Sequence, residues 1–173
     1  NLDRLAASGL HFTNATSCIL VCTPARANLL TGRFPLTTGM FLNDLRMSTR
    51  ERTIAHVLAE EGYETAYVGK WHLDGVAAGR SRHRGHDVRG LLRGTPCLLA
   101  RGGYAADPAR GCATDWETDT ALSCIDGFTK PWALMLSWST PHNPYHQLPE
   151  CWYRVYDPER LKLPPNTSDM PEN

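Results

Sequence analysis

The chain has 173 residues, of which 42% are hydrophobic and 21% are charged, a composition typical of a folded globular protein and not of a disordered, collagenous or membrane-embedded chain. Eighteen basic side chains balance eighteen acidic ones, so no overall field attracts nucleic acid or an anionic membrane. The longest apolar run is far shorter than the ~20 residues of a spanning helix. We therefore expect no nucleic-acid partner and no membrane span, and any anion site must be local.

The amino-terminal third predicts two short helices. Residues 2–8 have apolar side chains on one helix face, and residues 11–15 predict a brief extended piece. Pro24 is typical of a helix start, because its missing N–H group is not needed there. A helix over 25–31 therefore follows, with Gly32 as its stop.

The rest of the regular structure is predicted as two units of a helix followed by a strand. A helix over 54–61 precedes a strand over 64–69, and a helix over 115–125 precedes a largely apolar strand over 132–138. The apolar positions Ile54, Val57 and Leu58 predict the buried face of the first helix, and Ala121, Leu122 and Ile125 that of the second. Repeated helix–strand units favour an α/β fold.

Residues 75–111 differ in composition from both units, because they contain many glycines and arginines without a periodic spacing. This composition predicts a surface excursion. A basic patch that steers phosphate or sulfate is the functional alternative.

Six cysteines in a chain of this length are too few for a disulfide scaffold, and none forms a CxxC pair. We expect all but Cys22 to be small buried apolar side chains. Cys22 differs because it precedes Pro24 at a predicted helix N-terminus, where free N–H groups and the helix dipole favour negative charge. Arg26 follows about one turn later, so an anion could lie between Cys22 and Arg26. From the spacing alone, a buried cysteine and a solvated arginine remain the alternative.

Four further segments accompany the cysteine motif Cys22-Thr23-Pro24-Ala25-Arg26. They are, in chain order, Leu30-Thr31-Gly32-Arg33, Gly62-Tyr63-Glu64-Thr65, Gly69-Lys70-Trp71-His72-Leu73 and Pro141-His142-Asn143-Pro144. Together they resemble the type I sulfatase family, which is formylglycine-dependent and belongs to the alkaline-phosphatase-like superfamily. The resemblance covers nearly the whole chain; Ala25 stands where the family most often has Ser.

The resemblance implies an α/β fold with a mixed or mostly parallel sheet flanked by helices. It makes residues 1–173 an amino-terminal part of the catalytic domain, without its first strand and its carboxyl-terminal part. The family's aspartate pair for the metal is expected before Asn1, and its Asp-Asn pair and second sulfate-binding lysine after Asn173. We therefore expect this chain alone to be inactive.

The resemblance also implies the chemistry. A formylglycine-generating enzyme would oxidise Cys22 to Cα-formylglycine, which would ligate calcium or another divalent cation. One oxygen of the hydrated aldehyde would attack the sulfur of a sulfate ester and displace the alcohol, and the other hydroxyl would collapse to the aldehyde and expel sulfate. A phosphonate or phosphate monoester hydrolase of the same superfamily is one alternative. A non-catalytic truncated fragment or pseudoenzyme is the other.

The resemblance assigns a role to each remaining candidate site residue. Arg26 would hold the formylglycine, Lys70 would bind a sulfate oxygen, and His72 would contact the diol and assist its deprotonation. His142 would lie on the leaving-group side, with His146 as a second candidate. Each side chain has an ordinary structural alternative, as a rim lysine or a turn histidine, but ends of parallel strands are where α/β folds place their sites.

Overall fold

The computed structural model of the chain describes residues 1–75, 97–100, 112–138, 140–142, 152, 155–162 and 165. Its elements, in chain order, are α1 (Leu2–Ser8), α2 (Cys22–Thr31), α3 (Pro35–Thr38), α4 (Ile54–Glu60), β1 (Glu64–Gly69), β2 (Cys97–Ala100), α5 (Ala113–Gly127), β3 (Trp132–Ser137) and a 3₁₀ turn at Pro158–Arg160. None of the described helices is long and apolar enough to cross a membrane.

The three described strands form one parallel sheet in the order β2-β1-β3. β1 pairs with β3 from Glu64 opposite Trp132 to Gly69 opposite Ser137. Because the strands are parallel, their carboxyl ends lie at the same edge of the sheet. The predicted α/β architecture with a mostly parallel sheet is confirmed.

The central strand β1 is buried on both faces, as is typical of parallel sheets. On one face Tyr67 packs in a cluster with residues of α2 and with Trp71. On the other face Ala66 and Val68 pack against Ala121 and Cys124 of α5. Helices therefore cover both faces of the strand from which the site is built.

Most predicted element bounds agree with the structure, and the exceptions are local. α2 begins at Cys22, two residues before Pro24, and ends at Gly32 with φ 67°. Thr53 and His56 form a reciprocal capping box at the start of α4. Residues 11–15 form a turn and irregular chain, so the extended piece predicted there is wrong.

The buried faces of two helices also differ from prediction. Ile54 and Val57 are 52% and 44% exposed, and Leu122 is 54% exposed. In α4 the buried residue is Ala55, and in α5 Ala121 is among the buried residues, as predicted. The apolar period therefore predicted only part of these inward faces, because it also assigned larger side chains to positions that are exposed.

The expectations for residues 75–111 and for the cysteines are confirmed only in part or lie outside the described residues. β2 lies inside the predicted surface excursion 75–111 and is a strand that the sequence analysis did not identify. The rest of that stretch, including the basic-patch alternative, lies outside the described residues except for Gly75. Cys18 is exposed, contrary to the expectation that every cysteine except Cys22 is buried, and Cys124 is buried but disulfide-bonded.

Candidate active site

The candidate site forms where the carboxyl ends of β1 and β3 meet the amino end of α2. Gly69 lies opposite Ser137, and the N–H group of Lys70 donates to the carbonyl oxygen of Ser137 at 2.8 Å. Gly69 has φ 99°, and a Cβ atom on it would lie 2.1 Å from that same carbonyl oxygen. Only glycine fits this exit from β1, which explains the first residue of the Gly-Lys-Trp-His segment.

Cys22 and Lys70 are brought together although they are 48 residues apart. Cys22 is the first residue of α2 and is partly buried, and Lys70 is only 5% exposed. The Nζ atom of Lys70 donates to the Sγ atom of Cys22 at 3.8 Å. A buried ammonium is stabilised by a partner that carries negative charge, so this position favours an anion beside residue 22.

The amino end of α2 has fewer free N–H groups than we expected. The N–H group of Thr23 donates to Oδ1 of Asn43 at 3.0 Å, and that of Ala25 donates to the carbonyl oxygen of Val21 at 3.1 Å. Pro24 has no N–H group. The positive partner for an anion beside Cys22 is therefore the ammonium of Lys70 more than the helix end.

Arg26 joins the ends of the two strands. Its Nη1 atom donates to the carbonyl oxygen of Lys70 at 2.6 Å, to Oγ of Ser137 at 2.8 Å and to the phenol oxygen of Tyr67 at 3.1 Å. Its Nε atom is buried and has no hydrogen-bond partner among the described residues. Arg26 thus fixes the backbone that carries Lys70, and its contact with a formylglycine stays a prediction.

Tyr67 completes this anchor. Its hydroxyl donates to the carbonyl oxygen of Lys70, and its ring meets the ring of Trp71 edge-on at 5.1 Å. Burial raises the pKa of the Tyr67 phenol, while the nearby Arg26 charge and hydrogen bonds from Ser137 and Arg26 lower it less. The phenol therefore stays protonated and able to donate at neutral pH.

We expect Tyr67→Phe to lower the free energy of unfolding by about 1 kcal/mol, because the variant loses the hydroxyl that donates to Lys70 and accepts from Arg26. The raised pKa adds a pH signature. Above the ordinary tyrosine pKa of about 10 the unfolded chain loses this proton while the native protein keeps it. The contribution of Tyr67 to stability is thus complete below pH 10 and is lost as pH rises through the raised native pKa.

Urea unfolding of the two proteins at pH 8 and across the alkaline range measures both effects. Tyr63→Phe, at a tyrosine that is 39% exposed, is the matched control. Equal stability of Tyr67→Phe and wild type at pH 8, with the same alkaline slope, would show that this anchor is not needed.

His72 is tied to α2 and to a carboxylate. Its carbonyl oxygen accepts from the hydroxyl of Thr23 at 2.9 Å, and its Nε2 atom lies 3.0 Å from Oδ1 of Asp44. Its Nδ1 atom is buried and has no hydrogen-bond partner in the described part of the chain. Both His72 and Asp44 have positive φ angles, of 59° and 62°. His72 is therefore linked to the residue that follows Cys22.

The remaining predicted histidine lies beyond the end of β3. His142 is exposed, and the nearby Thr140 hydroxyl contacts the hydroxyl of Thr114 at 2.9 Å. Since β3 runs parallel to β1, the carboxyl end of β3, after which His142 comes, lies at the same edge of the sheet as the carboxyl end of β1, after which Lys70 comes. His146 lies outside the described residues. Trp71, by contrast, is a core side chain whose indole N–H donates to Asp74 at 3.0 Å.

Comparison with known proteins identifies the family of the chain. Residues 1–162 match the family model for Sulfatase. The chain belongs to the sulfatase family. It is 37% identical to the ulvan-active sulfatase of Formosa agariphila over 185 aligned residues, which cover 97% of this chain and 35% of that protein. The chain thus spans about a third of the length of this relative sulfatase.

Solved sulfatase structures share the fold. The crystal structure of yidJ from Bacteroides fragilis has a TM-score of 0.77 and 26% identity, over 90% of this chain and 42% of that one. The structure of BT4656 in complex with its substrate D-glucosamine-2-N,6-O-disulfate has a TM-score of 0.63 and 28% identity, over 82% and 29% of the two chains. A phosphonate monoester hydrolase from Silicibacter pomeroyi matches at 19% identity, which shows the fold alone.

The described residues provide an incomplete set of ligands for the metal that the sulfatase resemblance implies. The described residues contain no group of three or more histidine, cysteine, aspartate or glutamate side chains that could hold a metal ion. Calcium takes 6–8 oxygen ligands, whereas Asp44 faces His72 and Asp74 faces Trp71. These residues do not form a calcium site by themselves.

The side chains that support the predicted sulfatase residues were not predicted from the sequence. They are Thr23, Asn43, Asp44, Tyr67 and Ser137. A signal existed for the Asn43-Asp44 pair, because both residue types tolerate left-handed backbone in turns. For Tyr67 and Ser137 the signal was their position near the ends of adjacent parallel strands.

Proposed function

We propose that this sulfatase-family protein hydrolyses sulfate monoesters, with Cys22 converted to Cα-formylglycine. The observation that carries the proposal is the approach of the Lys70 ammonium to the Cys22 side chain, 3.8 Å from Nζ to Sγ, at the carboxyl edge of a parallel sheet. The resemblance of the motifs adds the modification and the reaction class. A formylglycine-generating enzyme is the partner that the conversion requires.

The surroundings of Cys22 suit such a modification. The side chain is partly buried at the start of α2 and faces a cation, so an oxygen-bearing group and a bound sulfate would both be stabilised there. When present and hydrated, formylglycine supplies an oxygen nucleophile that a thiol does not. The divalent cation of the proposal, calcium by resemblance, needs ligands beyond those in the described residues.

The proposal gives distinct tasks to the chain's own groups. Lys70 binds a sulfate oxygen and offsets the charge that grows on the ester during cleavage. Arg26 keeps Lys70 in place by holding its backbone carbonyl. By resemblance, His72 contacts the hydrated aldehyde and assists its deprotonation, and His142 donates a proton to, or holds, the departing oxygen.

Phosphonate or phosphate monoester hydrolysis is the second candidate, and it is supported by the fold alone. An ammonium binds sulfate and phosphate oxygens alike, so kinetics on paired substrates decide between the two activities. We expect higher kcat/KM for an aryl sulfate, or for D-glucosamine-2-N,6-O-disulfate, than for the matching phosphate and phosphonate esters. The reverse order would replace the sulfatase assignment.

Coexpression with a formylglycine-generating enzyme is expected to convert Cys22 to an aldehyde. Hydrazide labelling followed by fragment-ion mass spectrometry locates the modified residue. Cys18 is an internal control, because it is exposed but has no proline two residues later and no arginine four residues later. The variant Cys22→Ala should lose both the aldehyde and the ester hydrolysis of the whole protein.

A thiol that persists at Cys22, under conditions that modify a known sulfatase, contradicts the proposed nucleophile. Conversion without turnover of any sulfate or phosphate ester by the whole protein would instead favour the non-catalytic alternative. The two results are separable because the label reports on chemistry at residue 22 and the assay reports on turnover.

A further inference from the structure

His72 is paired with a carboxylate that lies 28 residues earlier in the chain. Its Nε2 atom is 3.0 Å from Oδ1 of Asp44, and the two side chains are 27% and 56% exposed. Asp44 lies outside every motif that carries the resemblance to sulfatases. The contact therefore needs an explanation of its own.

The carboxylate determines which ring nitrogen of neutral His72 carries the proton. An ionised carboxylate accepts hydrogen bonds and cannot donate them, so Nε2 must hold the hydrogen. Nδ1 then carries the lone pair. Nδ1 is buried and has no hydrogen-bond partner among the described residues, and a buried polar atom left unpaired is costly. It is thus the nitrogen available to a group that joins the site.

Both members of this pair have a backbone conformation that few residues other than glycine adopt. Asp44 and His72 have φ angles of 62° and 59°, in the left-handed region, where aspartate and histidine occur more often than most residues with a side chain. This conformation places the carboxylate of Asp44 against the imidazole of His72.

Thr23 links both halves of the pair to the start of α2. Its hydroxyl donates to the carbonyl oxygen of His72 at 2.9 Å and accepts from the N–H group of Asp44 at 3.4 Å. Oδ1 of Asn43 accepts from the N–H group of Thr23 at 3.0 Å. Since Thr23 follows Cys22 directly, the pair is held in register with the proposed nucleophile.

We propose that Asp44 is a positioning residue that fixes His72 in its Nε2–H tautomer. Nδ1 is thereby kept as a hydrogen-bond and proton acceptor for a group that joins the site. The inference rests on the proposed function for its catalytic consequence, but the tautomer itself is a property of this chain. Asp44 acts only through His72 and does not contact the substrate.

Asp44→Asn is the sharpest test, because asparagine has the same shape and also tolerates left-handed backbone. Its amide offers an oxygen or an N–H group to Nε2, so the tautomer is no longer imposed. In the whole protein, converted at Cys22, we expect kcat for a sulfate ester to fall about 10- to 100-fold, the usual effect of removing an orienting partner from a functional histidine, with KM nearly unchanged.

Nitrogen NMR of ring-labelled histidine measures the tautomer of His72 directly. A purely structural role of Asp44 would leave this tautomer unchanged in the Asp44 variant. The His72 ring is assigned by comparison with His72→Gln. Wild type is expected to show the Nε2–H tautomer, and Asp44→Asn a mixture of both. This measurement needs no substrate, so it decides the tautomer even if the wild-type protein proves inactive on sulfate esters.

Two further variants keep the test decisive. Asp126→Asn, at an exposed carboxylate of α5, should leave kcat and the His72 ring unchanged. Asp44→Gly keeps a residue that readily adopts the left-handed backbone while removing the carboxylate, so it replaces Asp44→Asn if that variant does not fold. The proposal is overturned if His72 keeps only the Nε2–H form without the carboxylate, or if kcat of a folded Asp44 variant equals that of wild type.

Discussion

Gly69→Ala is expected to leave little or no soluble folded protein. The added Cβ atom would lie 2.1 Å from the carbonyl oxygen and 2.8 Å from the carbonyl carbon of Ser137, and both belong to the backbone of β3. Backbone cannot rotate away as a flexible side chain can. The φ angle of 99° adds strain of order 1–3 kcal/mol for any residue with a Cβ.

Relief of this clash would require β1 and β3 to separate at their carboxyl ends. That movement breaks the hydrogen bond from Lys70 to Ser137 and pulls apart the acceptors that Arg26 holds together. Overpacking typically costs 1–3 kcal/mol even where side chains can yield, and native proteins have only about 5–15 kcal/mol of stability. The strain and the clash together therefore consume much of the total.

Gly127→Ala is the matched control. Gly127 ends α5, no atom beyond the adjacent backbone of its own helix lies within 4 Å of the position its Cβ would take, and its φ is not in the left-handed region. Such a replacement is expected to be neutral or to stabilise by about 0.4–1 kcal/mol. Soluble yield and thermal unfolding of the two variants check the prediction. A Gly69→Ala protein that unfolds at the temperature of Gly127→Ala would show that the strand ends are farther apart than described.

The sequence predicted the regular elements where local chemistry decides them. Gly32 supplies a left-handed stop to α2, and the strand from Glu64 to Gly69 contains β-branched and aromatic side chains that suit a buried strand. The helix faces were less predictable. α4 turns Ala55 inward and leaves Ile54 exposed, a choice made by the contact with the sheet and not by the local pattern.

The candidate site was predictable in its motif residues and not in their supports. Lys70 and Cys22 were placed together from a resemblance, and the structure brings their side chains into contact. The environment of Arg26 was not predictable, because it depends on three acceptors at the ends of two strands, which lie 41, 44 and 111 residues after Arg26. No spacing rule relates residues so far apart.

Removal of the charge of Lys70 is expected to have the largest effect on the rate. Its ammonium lies beside the Cys22 side chain, whereas the N–H groups of Thr23 and Ala25 already donate hydrogen bonds within the protein. The stabilisation of an anion beside Cys22 therefore depends on Lys70. A preorganised charge in a water-poor site stabilises the transition state strongly, and loss of one such donor typically costs ~10²–10³ in rate. Methionine is the sharpest replacement, because it fills the buried space without the charge.

In the whole protein with Cys22 converted, Lys70→Met should lower kcat/KM for a sulfate ester by about 10²- to 10³-fold while the unfolding temperature stays near that of wild type. The temperature is expected to hold because Arg26 and Tyr67 bind the backbone carbonyl of residue 70 and not its side chain. Lys130→Met, at an exposed lysine before β3, is the control for loss of a positive charge and should leave kcat/KM unchanged. Near-normal turnover by Lys70→Met, with a lowered unfolding temperature, would make Lys70 a structural residue and would assign the sulfate to a different cation.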